Sequence, residues 1–165
     1  MKDSLFLGVC RTGYLAVFQM MGKAMAMCPD EIWGQRTDEP AFWQQAYHAL
    51  MYTDFYLEAL PRAYKKPDFA EEKANDLAFL PTVVPPKEQM QSYLRQVSGK
   101  CGTVLDSLTS EQLEGANAFT WTGPTVAHRL VYNIRHAQHH VGRLNSLLAR
   151  RTGKSAEWVI AAESV

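Results

Sequence analysis

The sequence predicts an all-α protein, a four-helix bundle with one long crossover between its second and third helices. Three observations predict this fold. Four segments repeat apolar residues at helical spacing, no segment alternates as a strand would, and roughly 25 residues separate the second helical segment from the third. With 165 residues, 47% of them hydrophobic, residues 1–165 are expected to form a single domain with a substantial core.

The composition of the first helix indicates that it needs packing for stability, and that of the second indicates a buried position. The first is predicted from about Asp3 to Met27, and its three glycines mean that packing rather than intrinsic propensity must stabilise it. The second is predicted from about Pro40 to Leu60, with Pro40 in its first turn and Pro61 ending it. Because this second helix is apolar and aromatic nearly all round, it is expected in the bundle centre or in a subunit interface.

The last two helices are amphipathic. The third is predicted from about Pro86 to Leu108 and the fourth from about Pro124 to Arg151. Thr122 or Gly123 is expected to cap the fourth helix, and Gly153 lies just beyond its basic end. The connection before the third helix is too long for a tight hairpin, so the second and third helices can run parallel.

Composition argues against several classes of protein. Lysine plus arginine and aspartate plus glutamate number 17 each, so the chain lacks the basic excess of a nucleic-acid binder and the polybasic run of a membrane-surface protein. The apolar start "SLFLGVC" is interpreted as part of the first helix, and no membrane span is expected. Three widely spaced cysteines, Cys10, Cys28 and Cys101, indicate buried thiols in a reducing, cytoplasmic compartment.

The stretch "RHAQHH" in the fourth helix contains three histidines that are not equivalent. At about 100° per residue, His136 and His140 lie one turn apart on a face that leans toward the core. His139 and His128 lie on the opposite side, so His139 is expected to face solvent or another subunit. A pair of histidines spaced i, i+4 can chelate one divalent ion, although the pair alone is a weak signal.

A third ligand for such an ion could come from the second helix. His48 stands there among Tyr47, Met51, Tyr52 and Phe55, where a charged imidazolium would be costly. A packed core histidine is the alternative. If His48 joined His136 and His140, the three would form a site with open positions for water or substrate, as in catalytic metal sites. The motifs HExxH, GxSxG, GxGxxG and the P-loop are absent from the sequence.

Four stretches of the chain carry a family resemblance. They are "FWQQAYHALMYTDFYL" (42–57), "LTSEQLEG" (108–115), "WTGPT" (121–125) and "TVAHRLVYNIRHAQHHVGRL" (125–144). Together they resemble the DinB/YfiT-like superfamily of metalloenzymes, whose motif of one histidine on helix two and HxxxH on helix four is matched at His48, His136 and His140. The resemblance implies a bundle of up-down-down-up order, often dimeric. It also implies a divalent metal held by three histidines and waters, commonly nickel or zinc, with iron or manganese as further candidates.

The resemblance further implies a thiol-dependent enzyme, since characterised members transfer or isomerise with bacillithiol, mycothiol or glutathione. One departure concerns Arg143, which stands where the family frequently has glutamine. We expect Arg143 to bind an anionic substrate group, Tyr52 to orient a bound ligand, and Asn133 to hold a water or a neighbouring imidazole; for each, an ordinary packing or solvated role is the alternative. No general base is evident, because Asp54 lies about 120° round the helix from His48.

Three functions therefore remain open from the sequence. The first is a metal-dependent transferase that acts on a small-molecule thiol. The second is a metal-dependent hydrolase, which would need a base that the sequence does not reveal. The third is a non-catalytic metal-binding module in which the aromatic surface of helix two serves dimerisation. A nucleic-acid role has only the stretch "RAYKK" (62–66) in its favour.

Overall fold

The structure is a computed structural model that describes residues 2–160 and 162, with side chains from residue 5 onward. This part of the chain is helical and contains no β-strand beyond one isolated bridge between Ala116 and Thr125. Its helices are α1 (Lys2–Met27), α2 (Asp30–Trp33), α3 (Phe42–Tyr56), α4 (Lys87–Ser107), α5 (Ser110–Glu114) and α6 (Val126–Thr152). The four long helices correspond to the four predicted from periodicity.

The long helices pack in a cyclic order around a common core. The helix α6 packs on α3 and on α1, and α4 completes the ring by packing on both α1 and α3. The core contains large side chains from all four helices, among them Tyr14, Trp43, Tyr47, Met90 and Leu144. Burial of such side chains is the main favourable contribution to folding, about 1.5–3 kcal/mol for each large apolar group.

The apolar helix α3 lies inside this core rather than in a subunit interface. Most of its side chains are buried in the same chain, including Phe42, Trp43, Tyr47 and Leu50. Most of the aromatic surface that helix two was expected to offer for dimerisation is therefore covered within the chain. The helix also ends at Tyr56, four residues before the predicted end, and Pro61 instead begins a short 3-10 turn, Pro61–Ala63.

The helix α1 relies on packing, as its glycines predicted. A Cβ atom at Gly13 would lie 3.3 Å from Ile134 of α6, and one at Gly22 would lie 3.2 Å from Leu94 of α4. Both glycines therefore let neighbouring helices approach closely. By length and composition alone, Leu5–Met27 could also cross a membrane, which the sequence analysis did not expect. Its buried residues pack on α4 and α6.

The N-cap of α6 lies two to three residues later in the chain than the predicted caps, Thr122 and Gly123. Thr125 is the N-cap, and its hydroxyl accepts a hydrogen bond from the backbone N–H of His128. At the other end Gly153 adopts the left-handed conformation at φ 73°, after the basic residues Arg150 and Arg151, as predicted. The three cysteines, Cys10, Cys28 and Cys101, are buried free thiols.

Candidate metal centre

The histidines of α3 and α6 converge in the structure. The ring centroid of His48 lies 4.4 Å from that of His140 and 5.5 Å from that of His136, and the two α6 rings are 4.7 Å apart. One nitrogen from each ring lies within 4.8 Å of the other two, so the three could hold one metal ion. Periodicity brings His136 and His140 together, and the packing of α3 on α6 brings His48 to them.

The other two histidines of α6 lie outside this cluster. His139 and His128 are both exposed, and the His128 ring nitrogen Nδ1 lies 2.7 Å from the hydroxyl of Thr125. His139 contacts the edge of the His140 ring at a centroid distance of 5.1 Å. The assignment of His139 to the solvent side of α6 therefore agrees with the structure.

The environment of the cluster keeps the imidazoles neutral. Burial, together with the smaller effect of neighbouring positive charge, lowers the pKa of His136 to about 4 and that of His140 to about 3. Burial also lowers the pKa of His48, although a hydrogen bond to Asn75 opposes the shift. At neutral pH all three rings thus have a lone pair available, which is the state that binds a metal.

The residues present fit a divalent ion. Nδ1 of His136 and Nδ1 of His140 are buried, and neither has a hydrogen-bond partner among the described residues. Buried polar atoms of this kind normally have a partner, so the protein alone leaves these two rings unsatisfied. An ion held by the cluster would supply the missing interaction.

In contrast, the ring of His48 has a partner in the protein. Its Nδ1 lies 2.7 Å from the backbone carbonyl oxygen of Asn75. Because a carbonyl only accepts, Nδ1 carries the hydrogen and the lone pair is on Nε2. Such an outer contact fixes the tautomer and the orientation of a histidine that ligates a metal.

Asn75 belongs to the crossover, residues 57–86, which buried side chains hold against α3. Gln44, one turn before His48, donates from its amide nitrogen to the carbonyls of Asp76 at 2.9 Å, Phe79 at 3.1 Å and Ala74 at 3.3 Å. The guanidinium of Arg36 donates to Gln44 Oε1 at 3.0 Å and also to the carbonyls of Leu77 and Phe79. We call residues 74–79 with these two side chains the carbonyl clamp. The clamp places the carbonyl of Asn75 over His48.

The side chain of Asn75 extends this arrangement to Tyr52. Its amide oxygen accepts a hydrogen bond from Lys66 at 2.7 Å, and its amide nitrogen donates to the Tyr52 hydroxyl at 3.4 Å. The ring centroid of Tyr52 lies 4.7 Å from that of His48 and 5.6 Å from that of His136. Since the hydroxyl accepts from Asn75, its own hydrogen remains free to donate elsewhere.

Two more tyrosines surround His136. Tyr132 stacks on His136 one turn away at a centroid distance of 6.3 Å, and Tyr56 meets it edge-on at 6.2 Å. Burial raises the pKa of Tyr56 to about 12, and the indole nitrogen of Trp121 donates to its hydroxyl at 3.2 Å. Aromatic rings from both α3 and α6 therefore border His136.

The remaining residues that the sequence singled out lie in different settings. Asn133 is fully buried, and its amide nitrogen donates to the backbone carbonyl of Thr53 at 3.0 Å, which joins α6 to α3. Arg143 is half-buried, three residues after His140. The carboxylate of Asp54 pairs with Lys100 and accepts a hydrogen bond from Tyr93, so this group is engaged away from the histidines. Among the described residues, the cluster that could hold a metal ion consists of the three histidines, without a carboxylate.

Sequence reasoning did not find Gln44, Arg36 or Asn75. Gln44 had a usable signal, since it is a polar residue in an apolar helix and lies one turn from His48 on the same face. Asn75 had none, because it touches His48 through a backbone carbonyl that any residue would carry.

Comparison with known proteins identifies the family of the chain. A family model described as DinB superfamily matches residues 14–144, a span that includes all three histidines. No curated protein and no solved structure matches the chain.

Proposed function

Because the chain belongs to the DinB superfamily and its three histidines converge, we propose that it is a metal-dependent enzyme of the thiol S-transferase type. His48, His136 and His140 would hold one divalent ion, nickel or zinc in the first place and iron or manganese in the second. The observation that carries the proposal is a cluster of three neutral imidazoles with a nitrogen of each within 4.8 Å of the others.

The choice of a thiol rests on the charge of the cluster. Three neutral ligands leave the charge of a dication uncompensated, and when bound such an ion would favour a thiolate over the neutral thiol. Hydrolysis, the alternative, often needs a carboxylate base. The nearest candidate from the sequence, Asp54, is engaged with Lys100 and Tyr93. The donor set therefore suits thiol transfer better than hydrolysis.

The chain's own residues would bind and orient the substrates. Tyr52 would donate its hydroxyl hydrogen to a bound substrate, because Asn75 already donates to the hydroxyl oxygen. Arg143, three residues beyond His140, would contact an anionic group of the substrate. Asn133 would hold the helices that carry the ligands in register through Thr53, and thereby support substrate binding indirectly.

Four features of the whole molecule belong to the same proposal. One domain would fold as a four-helix bundle of up-down-down-up order, which the cyclic packing of the long helices and the crossover support. Two copies would form a homodimer, for which exposed apolar side chains of α1 and α6 offer a surface: Leu5, Val9 and Val131. The protein would work in the cytoplasm. Its partners would be small molecules rather than nucleic acid or a membrane.

The experiment that tests the function is a paired substrate panel with metal-loaded protein. Bacillithiol, mycothiol, glutathione and cysteine are each offered with chlorodinitrobenzene, and ester, amide and phosphoester substrates are run beside them. In the expected reaction the thiol sulfur forms a bond to the ring carbon, the carbon–chlorine bond breaks, chloride leaves and the thiol proton goes to solvent. His140→Ala should lose the metal-dependent rate, whereas His139→Ala should keep it.

Two results would contradict the proposal. Metal-dependent turnover of the hydrolytic substrates without any effect of thiol would favour a hydrolase. Inactivity on both panels, with metal bound and all ligand positions filled, would favour a non-catalytic metal-binding module.

A further inference from the structure

The helix α6 carries a cation on the same stripe as two of the clustered histidines. Arg143 follows His140 by three residues and His136 by seven, and residues at these spacings share one helix face. Arg143 is half-buried, and it lies on the helix face that also carries His136 and His140. Its stripe on α6 therefore consists, in order, of Tyr132, His136, His140 and Arg143.

Arg143 differs from the other arginines of α6 in having no partner. Each of the others contacts a described side chain: Arg129 lies over Phe119, Arg135 over Tyr132, Arg150 beside Glu39, and Arg151 beside Gln35. Among the residues that the structure describes, Arg143 has no hydrogen bond, ion pair or ring contact. Five guanidinium donors are thus left without a protein acceptor.

The position of this charge is unfavourable for metal binding itself. A guanidinium beside three imidazoles repels the dication that they would hold, and its field reaches the cluster, since Arg143 contributes to lowering the pKa of both His48 and His140. An anionic ligand would instead be attracted by both the guanidinium and the dication. The cation is thus matched to a ligand that brings negative charge to the site.

We propose that Arg143 binds a carboxylate of the substrate and so selects substrates in which a carboxylate lies a few bonds from the group that reaches the three histidines. The planar guanidinium fork matches the two oxygens of a carboxylate, and a partly buried setting strengthens such a pair. The proposal rests on the proposed function only in requiring that a substrate group reach an ion held by His48, His136 and His140.

The test uses two hydroxamates of equal length on cobalt-loaded protein. Butyrohydroxamate and succinic monohydroxamate share a metal-binding head, and only the second ends in a carboxylate. The dissociation constant of each is measured from the cobalt absorption spectrum. The native protein should bind the carboxylated probe about tenfold more tightly, as one charge-assisted bidentate contact would provide. Arg143→Gln should bring the two constants together, and Arg151→Gln, a change at an exposed arginine far along the same helix, should leave the preference intact.

The possible outcomes of this experiment distinguish failure of the Arg143 proposal from failure of the proposed function. Equal binding of the two probes by the native protein, or an unchanged preference in Arg143→Gln, would overturn the role of Arg143 and leave the metal centre standing. Failure of butyrohydroxamate to bind at all would contradict an open metal position, and with it both proposals. Because the readout is a ratio of two affinities, a general loss of stability in the variant would not imitate the expected result.

Discussion

The two helices that supply the histidines hold them in different ways. On α3, His48 donates from Nδ1 to the carbonyl of Asn75, so the fold of the crossover decides which nitrogen is free. On α6, His136 and His140 are brought together by helix geometry, and their Nδ1 atoms are buried with no hydrogen-bond partner in the described part of the chain. The pair on α6 is thus preformed as soon as the helix exists, whereas His48 is oriented only when a distant segment is in place. We expect the two halves of the site to respond differently to perturbation.

The largest expected effect is loss of the ligands themselves. Replacing His48, His136 or His140 singly by Ala should lower zinc affinity at least about 100-fold, because each removes one of three protein ligands. His139→Ala and His128→Ala should keep the native affinity, since both side chains are exposed outside the cluster. Metal content per chain, measured by elemental analysis on protein purified without an affinity tag, provides the check. Loss of metal in His139→Ala with retention in His136→Ala would refute this division of α6.

The next largest effect concerns the α3 half of the site, which consists of His48 and the carbonyl clamp. Gln44→Leu removes the amide nitrogen that donates to three carbonyls of the crossover, and it should lower zinc affinity by about tenfold or more, the usual cost of losing an outer contact of a ligand. Gln45→Leu is the matched control, because Gln45 is equally buried in the same helix but donates to Pro40, away from the clamp. Both variants should lose about 1–3 kcal/mol of stability, yet only the first should weaken metal binding.

Nuclear magnetic resonance adds a readout that stability cannot imitate. In metal-free native protein the nitrogen shifts of His48 should show a protonated Nδ1. In Gln44→Leu they should move toward the mixture of tautomers found in a free imidazole. An unchanged His48 tautomer together with equal zinc affinities in the two leucine variants would mean that the clamp does not position the ligand.

A smaller effect is the pH dependence of folding stability that His136 and His140 of α6 produce. The folded-state pKa values of His136 and His140, about 4 and about 3, lie below the value of about 6.5 for an unfolded histidine. Below pH 6.5 the unfolded state therefore binds more protons than the folded state, and stability falls as the pH drops toward 4. With screening by solvent, each ring should contribute about 1 kcal/mol per pH unit or less.

Denaturant unfolding of metal-free protein at several pH values would measure this slope. The double variant His136→Phe/His140→Phe should flatten it, because neither side chain then titrates. A slope that persists undiminished in the double variant would place the responsible groups elsewhere.

The smallest expected change is in the secondary structure when the metal is removed. The core formed by the four long helices should fold without metal, so a chelator should leave the helical circular dichroism unchanged. Zinc at 100 times its dissociation constant should still add about 2.7 kcal/mol, which corresponds to a rise in Tm of roughly 5–10 °C. Complete loss of helicity in the chelator would instead identify the metal as structural and favour the non-catalytic module.

The contrast between α3 and α6 also explains which features of the fold and of the site the sequence could predict. The four long helices, and the pairing of His136 with His140, follow from periodicity, which is a local property of the chain. The helix ends were less accurate, since hydrogen bonds of particular side chains decide them, as at the N-cap Thr125. His48 was placed because a charged imidazole among aromatic residues is costly, and the family resemblance supplied the same position.

The contact between His48 and Asn75 lay beyond sequence reasoning for a physical reason. It joins residues 27 positions apart through a carbonyl that no residue type distinguishes. The role of Asn133 beside the metal stays a prediction, and its residue type did not indicate that its amide nitrogen links α6 to the backbone of α3. The surroundings of Arg143 were equally invisible, because whether a cation has a partner depends on the packing of the whole chain.

The carbonyl clamp also bears on how this chain can diverge over evolutionary time. Gln44 and Arg36 hold the crossover by main-chain oxygens, and mutation of residues 76–79 changes the side chains without removing those acceptors. Ala74 is the exception, because its side chain is fully buried and leaves no room for a larger one. Substitutions can therefore accumulate along most of this segment while the orientation of His48 persists, and selection at the site falls instead on Gln44, which lies a full turn of helix away from the histidine.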